Sequence, residues 1–260
     1  MTGISPAISQ KFHPKYHPRP IFAALFRSLT QAFLDIAFYL LHYMIDTVLF
    51  DMDGLLLDTE PLWGESMLRV ARKHGIPITR ERFKETTGLR IYEVTDYWSV
   101  KFPWEGSSPV EVADEILDDI ITTSKEKGSV LKGVKKALAL LKAHHYKIGL
   151  ASSSPYRMID ELVSHFDIKH YFEAIHSADR AELGKPHPAV FLDCAAELGA
   201  SPLQCAVLED SVNGMIAGKA ARMKVIVVPD ALHFDDPRFA LADAKLGSME
   251  DFDLGVLNRL

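Results

Sequence analysis

Two aspartates at the end of an apolar run are the residues of this chain most suited to chemistry. Asp51 and Asp53 follow the apolar residues 48–50 and precede Gly54. Such a run is typical of a buried strand in a parallel sheet that is covered on both faces. The carboxyl ends of these strands meet in a crevice where ligands bind, and two carboxylates there need a cation to offset their repulsion. An acidic turn without a catalytic role is the alternative that these residues alone leave open.

A run of hydroxyl side chains follows a second apolar segment. Ser152, Ser153 and Ser154 come after residues 148–151 and stand just before Pro155. Hydroxyl and N–H groups at the start of a helix form an anion site, whereas Ser154 followed by Pro155 is also an ordinary helix start. We therefore interpret this segment either as a phosphate-binding loop or as a simple helix cap.

Two further segments place charged groups ahead of helices. Lys185 precedes a helix and can supply a fixed positive charge to a phosphate, although a lysine in a loop is usually solvated. Glu209 and Asp210 follow a third apolar run, and four acids at two strand ends suit Mg²⁺, which prefers octahedral oxygen coordination. Helix capping by Asp210 or Ser211 is the alternative. Zinc is disfavoured because these strand ends lack histidine and cysteine.

The hydrophobic pattern of the chain predicts the elements that position these residues. Residues 61–128 have helical periodicity and no buried-strand run. From Lys147 onward, apolar runs alternate with helical segments, which predicts βαβ units and a parallel sheet. The predicted strands are 148–151, 174–176, 206–208 and 225–228, and the predicted helices lie near 134–145, 156–166, 188–198 and 212–222. We expect an α/β fold: a Rossmann-like parallel-sheet core (44–60 and 130–260) with an inserted α-helical cap (61–129).

Residues 1–43 stand apart from this pattern. Their polar, proline-containing start is typical of disorder, and residues 21–44 are apolar but are interrupted by Arg27 and Asp35. A charge near the centre of a spanning helix costs roughly 2.5–3.5 kcal/mol, so a membrane span is disfavoured. We interpret this N-terminal extension as disordered or helical. Translation that begins at Met44 and an amphipathic helix for a surface or a partner are the two explanations that remain open.

Composition argues against several classes of function. The 260-residue chain has a formal net charge of −6 and lacks the basic clusters that are typical of nucleic-acid-binding surfaces. Its acidic balance also disfavours binding to anionic lipids. The two cysteines, Cys194 and Cys205, lie in apolar segments without metal-ligand spacing, which favours a reducing compartment. We therefore expect a cytoplasmic monomer that binds neither nucleic acid nor membranes.

The order of the motifs resembles that of the haloacid dehalogenase-like hydrolase superfamily. The matching residues are Asp51-Met52-Asp53-Gly54, Ser152, Lys185 and Glu209-Asp210. The helical insertion resembles the cap of the subfamily that includes β-phosphoglucomutase and many sugar phosphatases. The resemblance extends from Ile45 to the C-terminus. It implies a Mg²⁺-dependent phosphoric monoester hydrolase that forms an aspartyl-phosphate intermediate.

The resemblance implies a role for each acidic residue. Asp51 would attack phosphorus as the nucleophile, and Asp53 would act first as general acid and then as general base. Mg²⁺ would be held by the Asp51 carboxylate, the Asp53 main-chain carbonyl and Asp210. Glu209 would be a direct ligand or a neighbour that orients one.

The resemblance also implies which residues hold the substrate. The Ser152 hydroxyl, the Ser153 N–H and Lys185 would bind the phosphate oxygens. Arg90, in the cap, is a candidate for contacting the sugar hydroxyls or the phosphate. Trp63, at the hinge, would provide a stacking or closing surface, with ordinary packing between cap and core as the alternative.

A closer resemblance within the superfamily concerns the substrate. It is to a bacterial group of phosphatases that act on 2-deoxyglucose 6-phosphate, sorbitol 6-phosphate and mannitol 1-phosphate. The segments that carry it are 88–91, 149–152, 185–188, 192–196 and 208–217. A small sugar phosphate is therefore the expected partner. A sugar phosphomutase is the alternative, although that branch generally has a histidine where this chain has Trp63. A sensor without catalysis is disfavoured because Asp51, Asp53, Lys185 and Asp210 are all present.

Overall fold

A computed structural model describes residue 25 and residues 28–34, 44–86 and 88–260. The chain divides into two units, Met1–His42 and Tyr43–Leu260, and the described residues of the first are helical. The expectations for the N-terminal extension therefore lie mostly outside the described residues. Among the helices that the structure describes, none combines the length and the apolar character that crossing a membrane requires.

A six-stranded sheet forms the centre of the second unit. Its order is β3-β2-β1-β4-β5-β6, and all neighbouring strands are parallel. The strands are β1 (Thr47–Phe50), β2 (Lys147–Ser152), β3 (Ala174–Ser177), β4 (Cys205–Glu209), β5 (Lys224–Val227) and β6 (Ala244–Lys245). Phe50 lies opposite Leu150 in β2 and Leu208 in β4. The segments that follow these three strands therefore meet at one edge, where the order of the sheet reverses and ligands bind in folds of this kind.

Helices cover both faces of this sheet. Those that follow residue 130 are α4 (Val134–Ala143), α5 (Tyr156–His165), α6 (Ala189–Glu197), α7 (Val212–Ala220) and α8 (Leu254–Leu257). Val48 and Phe50 of β1 belong to one apolar cluster, with residues of α4 and α5, while Leu49 belongs to a second, with residues of α6 and α7. Burial on both faces explains why the strand is an uninterrupted apolar run. The predicted α/β fold with a parallel-sheet core is confirmed.

The chain between β1 and β2 is mainly helical. It forms α1 (Glu60–Lys73), α2 (Ile91–Lys101) and α3 (Pro109–Lys127). These helices enclose an apolar cluster of their own, in which Trp98 of α2 is almost completely buried. One end of α3 joins this cluster through Ile116, and the other joins the sheet core through Ile120. We call α1–α3 the helical segment. The domain limits 61–129 remain a prediction.

Two local features differ from the sequence-based expectations. The start of α5 is at Tyr156, so Pro155 occupies the capping position and Ser154 does not cap the helix; the capping interpretation of Ser154 is wrong. Strand β6 was not predicted because it has only two residues, one of which is exposed.

Truncating Trp98 tests the cluster inside the helical segment. We expect Trp98→Ala to lower the free energy of unfolding by about 3–5 kcal/mol, because it leaves a cavity where an indole was buried. Val100→Ala is the matched control in α2, since Val100 is 84% exposed, and we expect a change within about 0.5 kcal/mol. Urea unfolding measures both. A loss below about 1 kcal/mol for Trp98→Ala would show that this cluster is not tightly packed.

Candidate active site

A buried ion-pair network lies where β1, β2 and β4 end. The ammonium group of Lys185 donates hydrogen bonds to Asp51 Oδ1 at 2.5 Å, to Glu209 Oε1 at 2.7 Å and to the Ala151 carbonyl at 3.0 Å. The side chains are 6% (Lys185), 10% (Asp51) and 1% (Glu209) exposed. The Phe191 ring lies beneath the ammonium group, with its centroid 4.6 Å away. Lys185 is therefore not the solvated lysine of the alternative interpretation.

Both oxygens of the Glu209 carboxylate accept hydrogen bonds from neighbouring groups. Its Oε2 accepts from the N–H groups of Asp210 and Ser211 and from the Ser211 hydroxyl, each at 3.0 Å. The Ser211 hydroxyl in turn accepts from the N–H of Gly214 and caps α7. Ser211 is thus the helix cap, and Asp210 is left available for another role. Because Lys185 binds Oε1 and these groups bind Oε2, Glu209 is arranged to orient its neighbours.

Asp51, Glu209 and Asp210 form an acidic cluster that suits a divalent cation. One carboxylate oxygen of each lies within 4.8 Å of the others. Among the hydrogen bonds of the described residues, none reaches the Asp210 carboxylate. Three carboxylates against the one ammonium group of Lys185 leave excess negative charge. An all-oxygen donor set with such charge suits Mg²⁺ or a related hard cation. Asp51 and Asp210 are the residues of this cluster most available to hold it.

The pKa values of the cluster reflect first its burial and then its excess charge. Burial raises the pKa of Asp51 to about 7; Lys185 opposes the shift, and Glu209 adds to it. Burial, with repulsion from Glu209 and Asp51, also raises the pKa of Asp210 above its ordinary value. Burial alone would lower the pKa of Lys185, but attraction to Asp51 and Glu209 raises it, so this ammonium group stays charged.

Gly54 allows the first motif to approach Asp210. Its φ of +72° lies in the left-handed region, and a Cβ at this position would lie 2.2 Å from Asp210 Oδ2. Both the backbone conformation and the space therefore require glycine. This close approach brings the loop after β1 against the loop after β4.

The carboxylate of Asp53 has a separate set of partners. Its Oδ1 accepts from the Thr59 hydroxyl at 2.5 Å and from Trp63 Nε1 at 3.2 Å, and its Oδ2 accepts from the Ser154 hydroxyl at 2.5 Å. Thr59 and Trp63 lie at the start of α1, whereas Ser154 follows β2. The two aspartates of the first motif are therefore held apart: Asp51 in the ion-pair network, and Asp53 among neutral donors.

Sequence reasoning missed the contributions of Thr59 and Ser154. Both residues were visible as hydroxyls close to a motif, Thr59 six residues after Asp53 and Ser154 at the end of a serine run. Nothing in the linear pattern indicated that they share one carboxylate, because Ser154 reaches Asp53 only through the pairing of β2 with β1.

The serine loop, residues 152–154, contacts Asp53 through Ser154. The buried Ser152 hydroxyl accepts from the N–H of Ser154 at 3.1 Å. Ser153 is half-buried and lines a cavity of about 390 Å³. Arg90 and Tyr92, at the start of α2, also line this cavity. A cavity of this size is large enough for a small organic ligand.

Arg90 makes different contacts from those expected of a substrate ligand. Its guanidinium group donates to the main-chain carbonyls of Ala178 at 2.8 Å and Ala181 at 2.7 Å, and pairs with Glu93 at 2.6 Å. It therefore faces the loop after β3. Its expected contact with sugar hydroxyls or phosphate remains a prediction that would require these bonds to break.

The chain belongs to the haloacid dehalogenase-like hydrolase family. The model of this family matches residues 48–228, which include β1, β2, β4 and the helical segment between β1 and β2. The resemblance inferred from the motifs is thereby confirmed.

Several of the similar curated proteins are named phosphatases. Hexitol phosphatase B of Escherichia coli strain K12 is 48% identical over 204 residues, which cover 78% of this chain and 92% of that protein. The phosphorylated carbohydrates phosphatase of Thermotoga maritima is 32% identical over 189 residues, covering 70% and 84%. These relatives confirm the prediction of a phosphoric monoester hydrolase of this family.

Solved structures share the fold. CbbY from Rhodobacter sphaeroides, in complex with phosphate, has a TM-score of 0.75 at 24% identity, covering 83% of this chain and all of that one. A putative β-phosphoglucomutase from Thermotoga maritima has a TM-score of 0.65 at 29% identity, covering 82% and 97%.

The acidic cluster makes stability depend on both pH and metal. Because the pKa of Asp51 is raised from 3.8 to about 7, the unfolded carboxyl ionises first, and metal-free stability falls as pH rises from about 4 to about 7. Mg²⁺ needs the ionised carboxylate, so MgCl₂ at about 100 times its Kd adds about 2.7 kcal/mol on the alkaline side, and less on the acidic side. Thermal unfolding with and without MgCl₂ measures this.

Asp210→Asn is the matched variant for this experiment. It removes one carboxylate without changing the side-chain shape, so we expect it to lose most of the stabilisation by MgCl₂. Equal stabilisation by MgCl₂ at about pH 5 and about pH 8, or undiminished stabilisation of Asp210→Asn, would contradict the assignment of the metal site to this cluster.

Proposed function

We propose that this chain is a Mg²⁺-dependent sugar-phosphate phosphatase that works through an aspartyl-phosphate on Asp51. The proposed substrates are 2-deoxyglucose 6-phosphate, sorbitol 6-phosphate and mannitol 1-phosphate. The separate surroundings of Asp51 and Asp53 carry the proposal, because the two half-reactions need one carboxylate that attacks and another that moves protons. The 48% identity to hexitol phosphatase B supports the choice of substrates.

In the proposed first step, Asp51 attacks phosphorus and the sugar alkoxide leaves. Lys185 orients the Asp51 carboxylate and places a fixed positive charge beside the phosphoryl oxygens. The Ser152 hydroxyl and the Ser153 N–H bind the remaining oxygens. Preorganised donors of this kind provide most of the stabilisation in phosphoryl transfer. Mg²⁺ held by the Asp51 carboxylate, the Asp53 carbonyl and Asp210 would offset the repulsion between carboxylate and phosphate, with Glu209 orienting the cluster.

Asp53 transfers the protons in both steps of this proposal. As an acid it protonates the departing sugar oxygen, and as a base it takes a proton from the water that attacks the aspartyl-phosphate. Donors from Thr59, Trp63 and Ser154 hold its carboxylate in one orientation. Because Thr59 and Trp63 belong to the start of α1, the position of the proton-transfer group depends on the helical segment.

We further propose that the helical segment acts as a cap over the phosphate site. The Trp63–Asp53 hydrogen bond joins its first helix to the first motif, which places the start of the helical segment beside the proposed proton-transfer group. A closed cap would exclude bulk water before the aspartyl-phosphate forms. The expectations of a monomer and of a cytoplasmic location remain part of this proposal.

A sugar phosphomutase is the second candidate. The putative β-phosphoglucomutase from Thermotoga maritima is among the similar solved structures. A mutase must return the phosphoryl group to a second sugar hydroxyl. Trp63, which donates to Asp53, stands where the mutase branch generally has a histidine. Two of the similar curated proteins are named phosphatases, so we favour hydrolysis.

Substitution of the two aspartates tests the proposed chemistry. We expect Asp51→Asn to lower kcat by roughly a thousandfold or more, because the nucleophile is lost. Asp53→Asn should lower kcat by roughly 10²–10⁴-fold, because proton transfer is lost. The exposed Asp58 provides the matched control, and Asp58→Asn should keep kcat within about twofold. Phosphate release in MgCl₂ measures all three. Near wild-type turnover by Asp51→Asn would rule out the covalent mechanism.

A substrate comparison separates the two candidate functions. Of the phosphomonoesters compared, we expect the one with the highest kcat/KM to be a hexose or hexitol monophosphate, with its phosphate released to water. A single turnover with a hexose bisphosphate provides the contrast. Transfer of the phosphoryl group to the sugar without free phosphate would favour the mutase and overturn our proposal.

A further inference from the structure

Arg90 joins the helical segment to the loop after β3. It lies immediately before α2, and its guanidinium group donates to the carbonyls of Ala178, Ala181 and Glu182, at 2.8, 2.7 and 3.3 Å. Its side chain is only 16% exposed. The guanidinium group thus donates to three carbonyl groups of one short loop, an arrangement that suits its planar geometry.

Glu93 holds Arg90 in this orientation. The Glu93 carboxylate accepts from the Arg90 main-chain N–H at 2.8 Å and from its guanidinium group at 2.6 Å. The aliphatic part of Arg90 lies over Gly184, where a Cβ would be 3.3–3.5 Å from its Cγ, Cδ and Nε atoms. The arginine is therefore fixed at both ends, by Glu93 on its own helix and by the loop that it contacts.

The loop under Arg90 leads directly to the central cation of the site. Residues 178–184 connect the end of β3 to Lys185, whose ammonium group contacts Asp51 and Glu209. Whatever fixes the backbone of this loop also fixes the backbone from which Lys185 extends.

We propose that Arg90 is a positioning residue that latches the helical segment onto residues 178–184 and thereby holds Lys185 in place. The closed position of the cap and the correct placement of the Lys185 ammonium group are then one event. The kinetic consequence rests on the function proposed above, whereas the latch itself is a structural property. The effect is on the phosphate end of the site, so it applies to every phosphomonoester.

An ion pair between the helical segment and the core is much more exposed than the Arg90 side chain. Arg157 of α5 pairs with Asp118 of α3 at 2.7 Å, but their side chains are 57% and 61% exposed. Exposed pairs of this kind contribute little. Arg157 is therefore a matched control: an arginine that also bridges to the helical segment, and whose ion-pair partners Asp118 and Glu161 lie outside residues 178–184.

The first experiment compares two substrates of different size. We expect Arg90→Ala and Arg90→Lys to lower kcat roughly 10- to 100-fold with both sorbitol 6-phosphate and p-nitrophenyl phosphate, since small displacements of a catalytic group are costly. Lysine should not rescue, because one ammonium group does not reproduce the fork. Arg157→Ala should change kcat less than about twofold. A loss confined to sorbitol 6-phosphate would make Arg90 a sugar ligand and overturn the latch.

The second experiment measures the latch without catalysis. Hydrogen–deuterium exchange of the full chain should become faster in residues 178–185 for Arg90→Ala and should stay unchanged for Arg157→Ala. Unchanged exchange in Arg90→Ala, or faster exchange with unchanged turnover of p-nitrophenyl phosphate, would overturn the proposal. If the wild-type enzyme hydrolysed p-nitrophenyl phosphate but no sugar phosphate, the proposed substrates would be wrong, and these two readouts would still decide the latch.

Discussion

The site depends on one buried ammonium group between two carboxylates. Lys185 neutralises part of the charge of Asp51 and Glu209 in a place from which water is almost excluded. Without it, the cluster would consist of buried acids with no counter-charge, which is a costly arrangement. Removing one partner from such a network is therefore expected to affect folding as well as chemistry. The parallel sheet makes the network possible, because β1 and β4 end side by side.

The spacing of the first motif separates two roles that would otherwise interfere. The Asp51 carboxylate lies in the charged network, whereas the Asp53 carboxylate accepts hydrogen bonds from two hydroxyl groups and an indole. The ammonium group of Lys185 orients the Asp51 carboxylate, whereas neutral donors hold the Asp53 carboxylate in place. The second environment is built in part by α1. In this account the helical segment therefore contributes to proton transfer and, through Arg90, to the placement of Lys185.

Local sequence patterns predicted the sheet and the residues at its edge, because each strand ends abruptly in polar groups. Interactions that join distant segments were not predictable in the same way. Ser154 has the pattern of a helix cap, yet its hydroxyl donates to Asp53. Arg90 has the position of a substrate ligand, yet three carbonyls of a distant loop bind it. The Ser154 contact depends on the pairing of β2 with β1, and the Arg90 contacts depend on how the helical segment meets the core. No periodicity in the chain encodes either.

We propose that Asp51, held by Lys185, forms a covalent bond to phosphorus. The most direct measurement is to quench the enzyme during turnover of sorbitol 6-phosphate in acid, where acyl-phosphates persist, and to locate the phosphoryl group by peptide mass spectrometry. We expect one phosphoryl group on Asp51 and none in Asp51→Asn. A phosphoryl group on another residue would contradict the proposed covalent bond. So would turnover with no phosphorylated peptide under conditions that trap an acyl-phosphate standard.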